Sequence, residues 1–213
     1  MVGSFGGLAA YRELLRGLPA SFPAPVVIVQ HRAALNDDML PKVLQPWCAL
    51  PVVQLRDGDQ LRPGTVHVTA GRAASTLQQH KAEVTASVSP DGGATAGDAL
   101  FTSAARLWTS RVIAVVLSGR LHDGALGVRH VNGAGGRVLV QDPALCAAPG
   151  MPQAALSTGC VDFMLPAAGL ADALTALVMA PGAGELMRVS LPSWAVPIAP
   201  SGNPVVGFDG LAS

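Results

Sequence analysis

Three residues of this 213-residue chain carry side chains suited to acyl transfer: Ser4, His31 and Asp123. A serine hydroxyl is a weak nucleophile near neutral pH. An imidazole must take its proton, and a carboxylate must hold the imidazole's tautomer and stabilise its charged form. Each of the three follows a stretch that reads as a strand. Ser4 comes after "MV" in "MVGSFGG", His31 ends "PVVIVQH", and Asp123 lies in "SGRLHDG" after "VIAVVL". In an open parallel sheet the carboxyl ends of the strands share one edge, and sites form there. Each residue also has a plainer role. Ser4, among Gly3, Gly6 and Gly7, reads as a helix cap, His31 as a satisfied histidine at a strand end, and Asp123, before Gly124, as the N-cap of the next helix. Residue type and placement leave both readings open.

The elements that would position these residues follow from hydrophobic patterning. Leu8, Tyr11, Leu15 and Leu18 recur at helical spacing, and "GLP" stops the run. "PVVIVQ", "RVIAVVLSG" and "GRVLVQD" are short, continuous apolar runs of the kind found in strands buried on both faces. "DDMLPKVLQ", "DALFTSAARLW", "DGALGVRHV", "MPQAALSTG" and "AGLADALTALVMA" read as helices, and "VDFML" and "AEVTASV" as further strands. "LPVVQLRDGDQLRPGTVHVTA" reads as strand, turn, strand, and is expected to form an antiparallel hairpin at one edge. Alternating strands and helices predict an α/β fold: a doubly wound, mainly parallel sheet with helices on both faces. One domain is expected over residues 1–180, its first strand apparently truncated to "MV". Residues 181–213 read as a flexible tail rich in Pro, Gly and Ser.

Composition narrows the classes. Half of the residues are apolar, and 14 basic residues balance 14 acidic ones, which argues against nucleic acid or an anionic membrane as partner. No run reaches the roughly 18 apolar residues of a membrane helix, since Pro166 and Asp172 break the most apolar window, and no signal peptide is expected. A soluble, cytoplasmic protein is expected. Cys48, Cys146 and Cys160 form no CxxC pair and read as reduced structural thiols. His67, His80 and His122 have no metal-ligand spacing, and the glycine-rich stretches match no phosphate-binding loop, so neither metal nor cofactor is expected.

Taken in order, "GSFGG", "VIVQH", "RDGDQLRPGTVHVTAG", "VVLSGRLHDGALG" and "VQDPALCAAPGMPQAAL" resemble the catalytic domain of the chemotaxis receptor methylesterases, the CheB-type protein-glutamate methylesterases. The likeness runs from Val2 to about Met179. It implies Ser4 as nucleophile, His31 as base and Asp123 as acid, with hydrolysis of glutamyl methyl esters to glutamate and methanol and, in many members, deamidation of glutamine. The implied partners are the methylated cytoplasmic helices of chemoreceptors. Phe5, Gly6, Arg120, Leu121 and Met151 would supply the oxyanion hole and the groove.

The chain departs from the motif in several places. Phe5 stands where a threonine usually follows the serine. The usual Gly-Met-Gly-Asn-Asp-Gly reads Gly119, Arg120, Leu121, His122, Asp123, Gly124, which puts Leu121 where positive φ is expected. The segment that usually borders the groove is reduced to "ATAGD". The N-terminal receiver domain that members often carry has no counterpart, so control by phosphorylation in cis is not expected. Two other readings stay open: a binding or signalling homologue without turnover, and an esterase with a different substrate. Oligomeric state is not legible.

Overall fold

The structure is a computed structural model that describes residues 1–32, 38–71, 74–78, 81–85 and 95–180, the side chains of 81–85 excepted. The tail expected over 181–213 lies outside the described residues, as does His80. The strands are β1 (Val2–Gly3), β2 (Val26–Gln30), β3 (Val52–Gln54), β4 (Val66–Val68), β5 (Ala74–Gln78), β6 (Lys81–Thr85), β7 (Ile113–Val116), β8 (Arg137–Gln141) and β9 (Phe163–Leu165). The helices are α1 (Gly7–Gly17), α2 (Leu40–Leu44), α3 (Ala96–Trp108), α4 (Ala125–Gly133), α5 (Gly150–Leu156) and α6 (Ala167–Met179).

Seven strands form one sheet in the order β3-β4-β2-β1-β7-β8-β9, and every pairing within it is parallel. Alternate residues of the apolar strands enter opposite cores, as the two-residue period of a strand requires. Val115, Leu117, Leu139 and Ile28 pack with Tyr11, Leu14 and Leu15 of α1 and Leu170 and Leu174 of α6. Ala114, Val116, Val138, Val140, Val29 and Val2 pack on the other face with Phe101 of α3, Val128 of α4 and Met151 of α5. The doubly wound arrangement is therefore built by strands buried on both faces.

The hairpin expectation needs correction. β3 and β4 pair in parallel, with Val52 opposite Val66 and Gln54 opposite Val68. The link between them contains two turns, at Gly58 (φ 74°) and Gly64 (φ 63°), so the chain reverses twice and the strands run the same way. The antiparallel hairpin is β5–β6, a separate two-stranded sheet that packs on α3.

β1 is only two residues long, yet it sits at the centre of the sheet. Val29 donates to Met1 O at 2.9 Å and His31 to Gly3 O at 3.0 Å on one side, while Leu117 donates to Val2 O at 2.9 Å on the other. Val2 is fully buried. The short strand thus anchors the turn that follows it from both neighbours. The chain moves to the β2 side of β1 first and to the β7 side later, so the sheet's switch point lies beside β1, at the carboxyl end where Ser4 stands.

Candidate active site

Ser4 leaves β1 in a turn that leads straight into α1. The cap residue of α1 is Gly6, in the left-handed region at φ 82° with no side-chain cap bond. Ser4 therefore does not cap the helix. Its hydroxyl makes no hydrogen bond among the described residues, while its backbone is fully engaged. Ser4 N donates to Ser118 O at 2.9 Å, and Ser4 O accepts from Gly7 N at 2.9 Å and from Gln30 Nε2 at 2.8 Å. Ser118 Oγ donates to Phe5 O at 2.9 Å, and Gln141 Oε1 accepts from Ser118 N at 2.9 Å. The turn is locked and the hydroxyl is left free, which is what a nucleophile needs.

His31 is placed by register. Gly3 pairs with Gln30 across β1 and β2, so Ser4 and His31 are the next residues along two adjacent parallel strands, about 5 Å apart in backbone spacing. The segment behind His31 is pinned by Arg32, whose Nε donates to Asp38 Oδ1 at 3.1 Å and whose Nη1 donates to Gln30 O at 2.8 Å. Burial alone would raise the Asp38 carboxyl, but the Arg32 hydrogen bond brings it below the usual carboxylate range.

Asp123 is 4% exposed and bonds His31 Nε2. The plainer role considered for it, capping α4, is not the one it plays, because α4 is capped by Gly124 at φ 91° with no side-chain bond. Asp123 reaches instead to the N-terminus of α3. Gly97 N donates to its Oδ2 at 3.0 Å and Asp98 N to its Oδ1 at 3.1 Å, and the Thr95 hydroxyl also bonds Oδ1. Orphan N–H groups and the positive end of the helix dipole thus hold a buried carboxylate. Burial works against the charged form of Asp123. The hydrogen bonds from His31 and Thr95, the His31 charge and the Gly97 N–H outweigh it and set its pKa below the ordinary value. Thr95 Oγ1 also lies 2.9 Å from Asp98 Oδ2, and Asp98 Oδ1 accepts from Gly127 N at 2.8 Å, which ties α3 to α4.

Because Asp123 faces Nε2, Nδ1 is the imidazole nitrogen left to take a proton. No hydrogen bond joins His31 to Ser4 Oγ; bonds of this kind often tighten only once substrate is bound.

The groove residues divide. The backbone N–H groups of Phe5, Gly6, Arg120 and Leu121 donate to no hydrogen bond among the described residues and are unspent. Met151 cannot line an open groove: it is fully buried, and its N–H is spent on Gly119 O at 2.9 Å, which makes it the floor beneath the loop. Leu121 adopts φ 65°, in the left-handed region expected of a glycine, with its side chain 78% exposed. Phe5 is 55% exposed, and the Arg120 guanidinium lies over its ring at 4.5 Å from the centroid, so two departures from the motif touch one another.

Other candidates fall away. The Cys146 thiol is pushed up to about 11 by burial and by Asp142, which makes it a poor nucleophile. His67 is buried, accepts Arg62 N at 3.0 Å, and has its pKa lowered by that burial. An apolar cavity of about 340 Å³, lined by Met1, Leu61, Leu100, Phe101 and Trp108 among others, opens at the amino ends of the strands, away from Ser4. Thr95, Asp98, Gln30 and Ser118 are functional supports that sequence reasoning missed. Only Thr95 and Asp98 carry a signal, the Thr-x-x-Asp spacing ahead of a helix.

The CheB methylesterase family profile matches residues 1–174. The chain belongs to that family. A protein-glutamate methylesterase/protein-glutamine glutaminase of Moorella thermoacetica is 37% identical over 184 residues, covering 84% of this chain and 43% of that protein. A second such protein, from Anaeromyxobacter dehalogenans, is 39% identical over 178 residues, covering 82% of this chain and 51% of its own. The chain thus spans about half the length of the curated relatives it matches. The crystal structure of the Thermotoga maritima CheB methylesterase catalytic domain superposes with a TM-score of 0.75 at 31% identity, over 83% of this chain and 96% of that one. The doubly wound fold is therefore the family's. No helix among the described residues is long and apolar enough to cross a membrane.

Proposed function

We propose that this domain is a cytoplasmic serine esterase that removes methyl groups from glutamyl methyl esters on the cytoplasmic helices of chemoreceptors, and that the same site deamidates glutamine. The observation that carries this reading is the bond from His31 to the buried Asp123 beside a serine whose backbone is locked and whose hydroxyl makes no hydrogen bond among the described residues. The names of the family and of its relatives support the substrate class.

In this mechanism His31 holds its proton on Nε2 against Asp123, and Nδ1 takes the proton of Ser4 as Oγ attacks the ester carbonyl. The N–H groups of Phe5 and Gly6, with those of the Arg120 loop, receive the oxyanion. Each such donor is typically worth about 10²–10³ in rate. His31 then protonates the departing methoxide, methanol leaves, and Ser4 carries the glutamyl acyl group. Water gives a proton to His31 and attacks the acyl carbonyl. The proton returns to Ser4 as the acyl–oxygen bond breaks, and the glutamic acid released gives its proton to solvent to become glutamate. Deamidation follows the same course with ammonia as leaving group.

Ser4→Ala tests the assignment. Methanol release from methylated receptor should fall by about 10⁴–10⁶. Release at the wild-type rate from the folded variant would overturn it.

A further inference from the structure

We infer that Arg120, held over the Phe5 ring, is the specificity-determining residue of this site, and that it selects ester substrates carrying a carboxylate beside the scissile group, that is, acidic peptides. The inference rests on the ester-hydrolase reading given above.

Two short connections place the pair at the lip of the site. Phe5 follows the nucleophile directly. Arg120 lies two residues after Ser118, whose carbonyl holds Ser4 N at 2.9 Å. Both side chains are exposed, so packing in the core does not account for either. The guanidinium carbon sits 4.5 Å from the Phe5 ring centroid, within cation–π range. Its N–H groups make no hydrogen bond among the described residues, and the fork of a guanidinium matches the two oxygens of a carboxylate.

Among the described residues the guanidinium has no acidic partner. Arg32 is neutralised by Asp38 and Arg137 by Asp162, whereas Arg120 has neither carboxylate nor hydrogen bond among the described residues. The nearest acid in sequence, Asp123, is buried and committed to His31, Thr95 and the start of α3. Phe5 removes conformational freedom from a long side chain before any substrate arrives, which lowers the entropic cost of gripping an anion. The reaction itself makes carboxylates from neutral esters. A substrate with several esterified glutamates would thus become better recognised as its neighbours are hydrolysed, and removal of adjacent methyl groups would run in sequence.

The test uses two peptides with a single glutamyl methyl ester, flanked in one by glutamates and in the other by glutamines. Wild-type protein should favour the acidic peptide about tenfold in kcat/KM, mainly through KM. That preference should shrink toward unity at about 1 M salt. Arg120→Gln should bring the ratio close to one, and Arg120→Glu should invert it. A wild-type ratio near one, or a ratio that survives in Arg120→Gln, overturns the inference. Dissociation constants of both peptides for Ser4→Ala protein, with and without Arg120→Gln, read the same preference without turnover. If wild-type protein cleaves neither peptide, the proposed function fails, and the ratio of these constants still decides the role of Arg120.

Discussion

On one side of Ser4 stands Asp123, 4% exposed, with His31, Thr95, Gly97 N and Asp98 N all bonded to its two oxygens. On the other side stand Phe5 and Arg120, both exposed, meeting through a single stacking contact. Leu121, in the same loop, is held at φ 65°. The two walls answer to different physics. A buried carboxylate left with one partner fewer costs free energy at once, because no water replaces the lost bond. An exposed side chain at the mouth can change with little cost to the fold. The acid–base wall is therefore over-determined and resists substitution, while the mouth is where a chain can alter what it accepts without losing its chemistry.

The largest expected break comes from Asp123→Asn. An amide keeps the shape, but it presents an N–H₂ where the carboxylate met donors and favours the wrong His31 tautomer. The expected loss in kcat is about 10⁴, with a destabilisation of about 2 kcal/mol from the lost cap and charged hydrogen bonds. The stability effect should depend on pH in one direction. The Asp123 pKa is depressed in the folded state, so its contribution is present above the unfolded carboxylate value, about 3.9, and is lost as pH falls through the folded value. Urea unfolding of both proteins from near neutrality into acid should show the gap between them closing below that value. A gap that stays constant into acid would mean that Asp123 is not held charged by its partners.

A smaller effect is expected from Thr95→Val, which removes a hydroxyl from between two carboxylates without touching the substrate. Thr95 is a positioning residue, so the prediction is about tenfold in kcat with KM little moved, an altered pH profile, and a stability loss of about 1–2 kcal/mol. Thr95→Ser should restore all three, since it returns the hydroxyl. Wild-type kcat and pH profile in Thr95→Val would remove Thr95 from the acid–base wall.

Legibility in the sequence divides along the same line as the two walls. Ser4, His31 and Asp123 could be found because each follows a strand, and strand ends share an edge whatever the details between them. The both-face-buried strands could be read because parallel strands under helices are continuously apolar. The support for Asp123 could not, because it arrives from α3 through a backbone approach that only the packed helix creates. "ATAGD" read as the remnant of a groove segment, although Thr95 and Asp98 stand at capping spacing within it. The alternative reading of Ser4 and Asp123 as caps arose for a related reason. Ser4 and Asp123 each precede a helix, as caps do, but left-handed Gly6 and Gly124 take that place and leave both side chains out of the caps. The pairing of β3 and β4 went the other way because two turn signals were counted as one reversal.

The smallest effect sharpens the contrast by its sign. Leu121 gains little by burial, with 78% of its surface exposed, and a β-carbon in the left-handed region costs about 1–2 kcal/mol. Glycine would relieve that strain, while the greater freedom of the unfolded chain offsets roughly 0.5–1 kcal/mol of the gain. Leu121→Gly should therefore leave the protein more stable by about 0.5–1 kcal/mol, a rise of roughly 2 °C in Tm. Asp123→Asn and Thr95→Val should both lower stability. Calorimetry on the three variants reads the difference directly. A fall in Tm for Leu121→Gly would mean that the leucine side chain makes contacts worth more than its strain, and that the mouth is as tightly specified as the wall opposite. A rise would place the strain in the loop that delivers Arg120 to Phe5, where a residue that destabilises the fold is retained beside the groups proposed to meet the substrate.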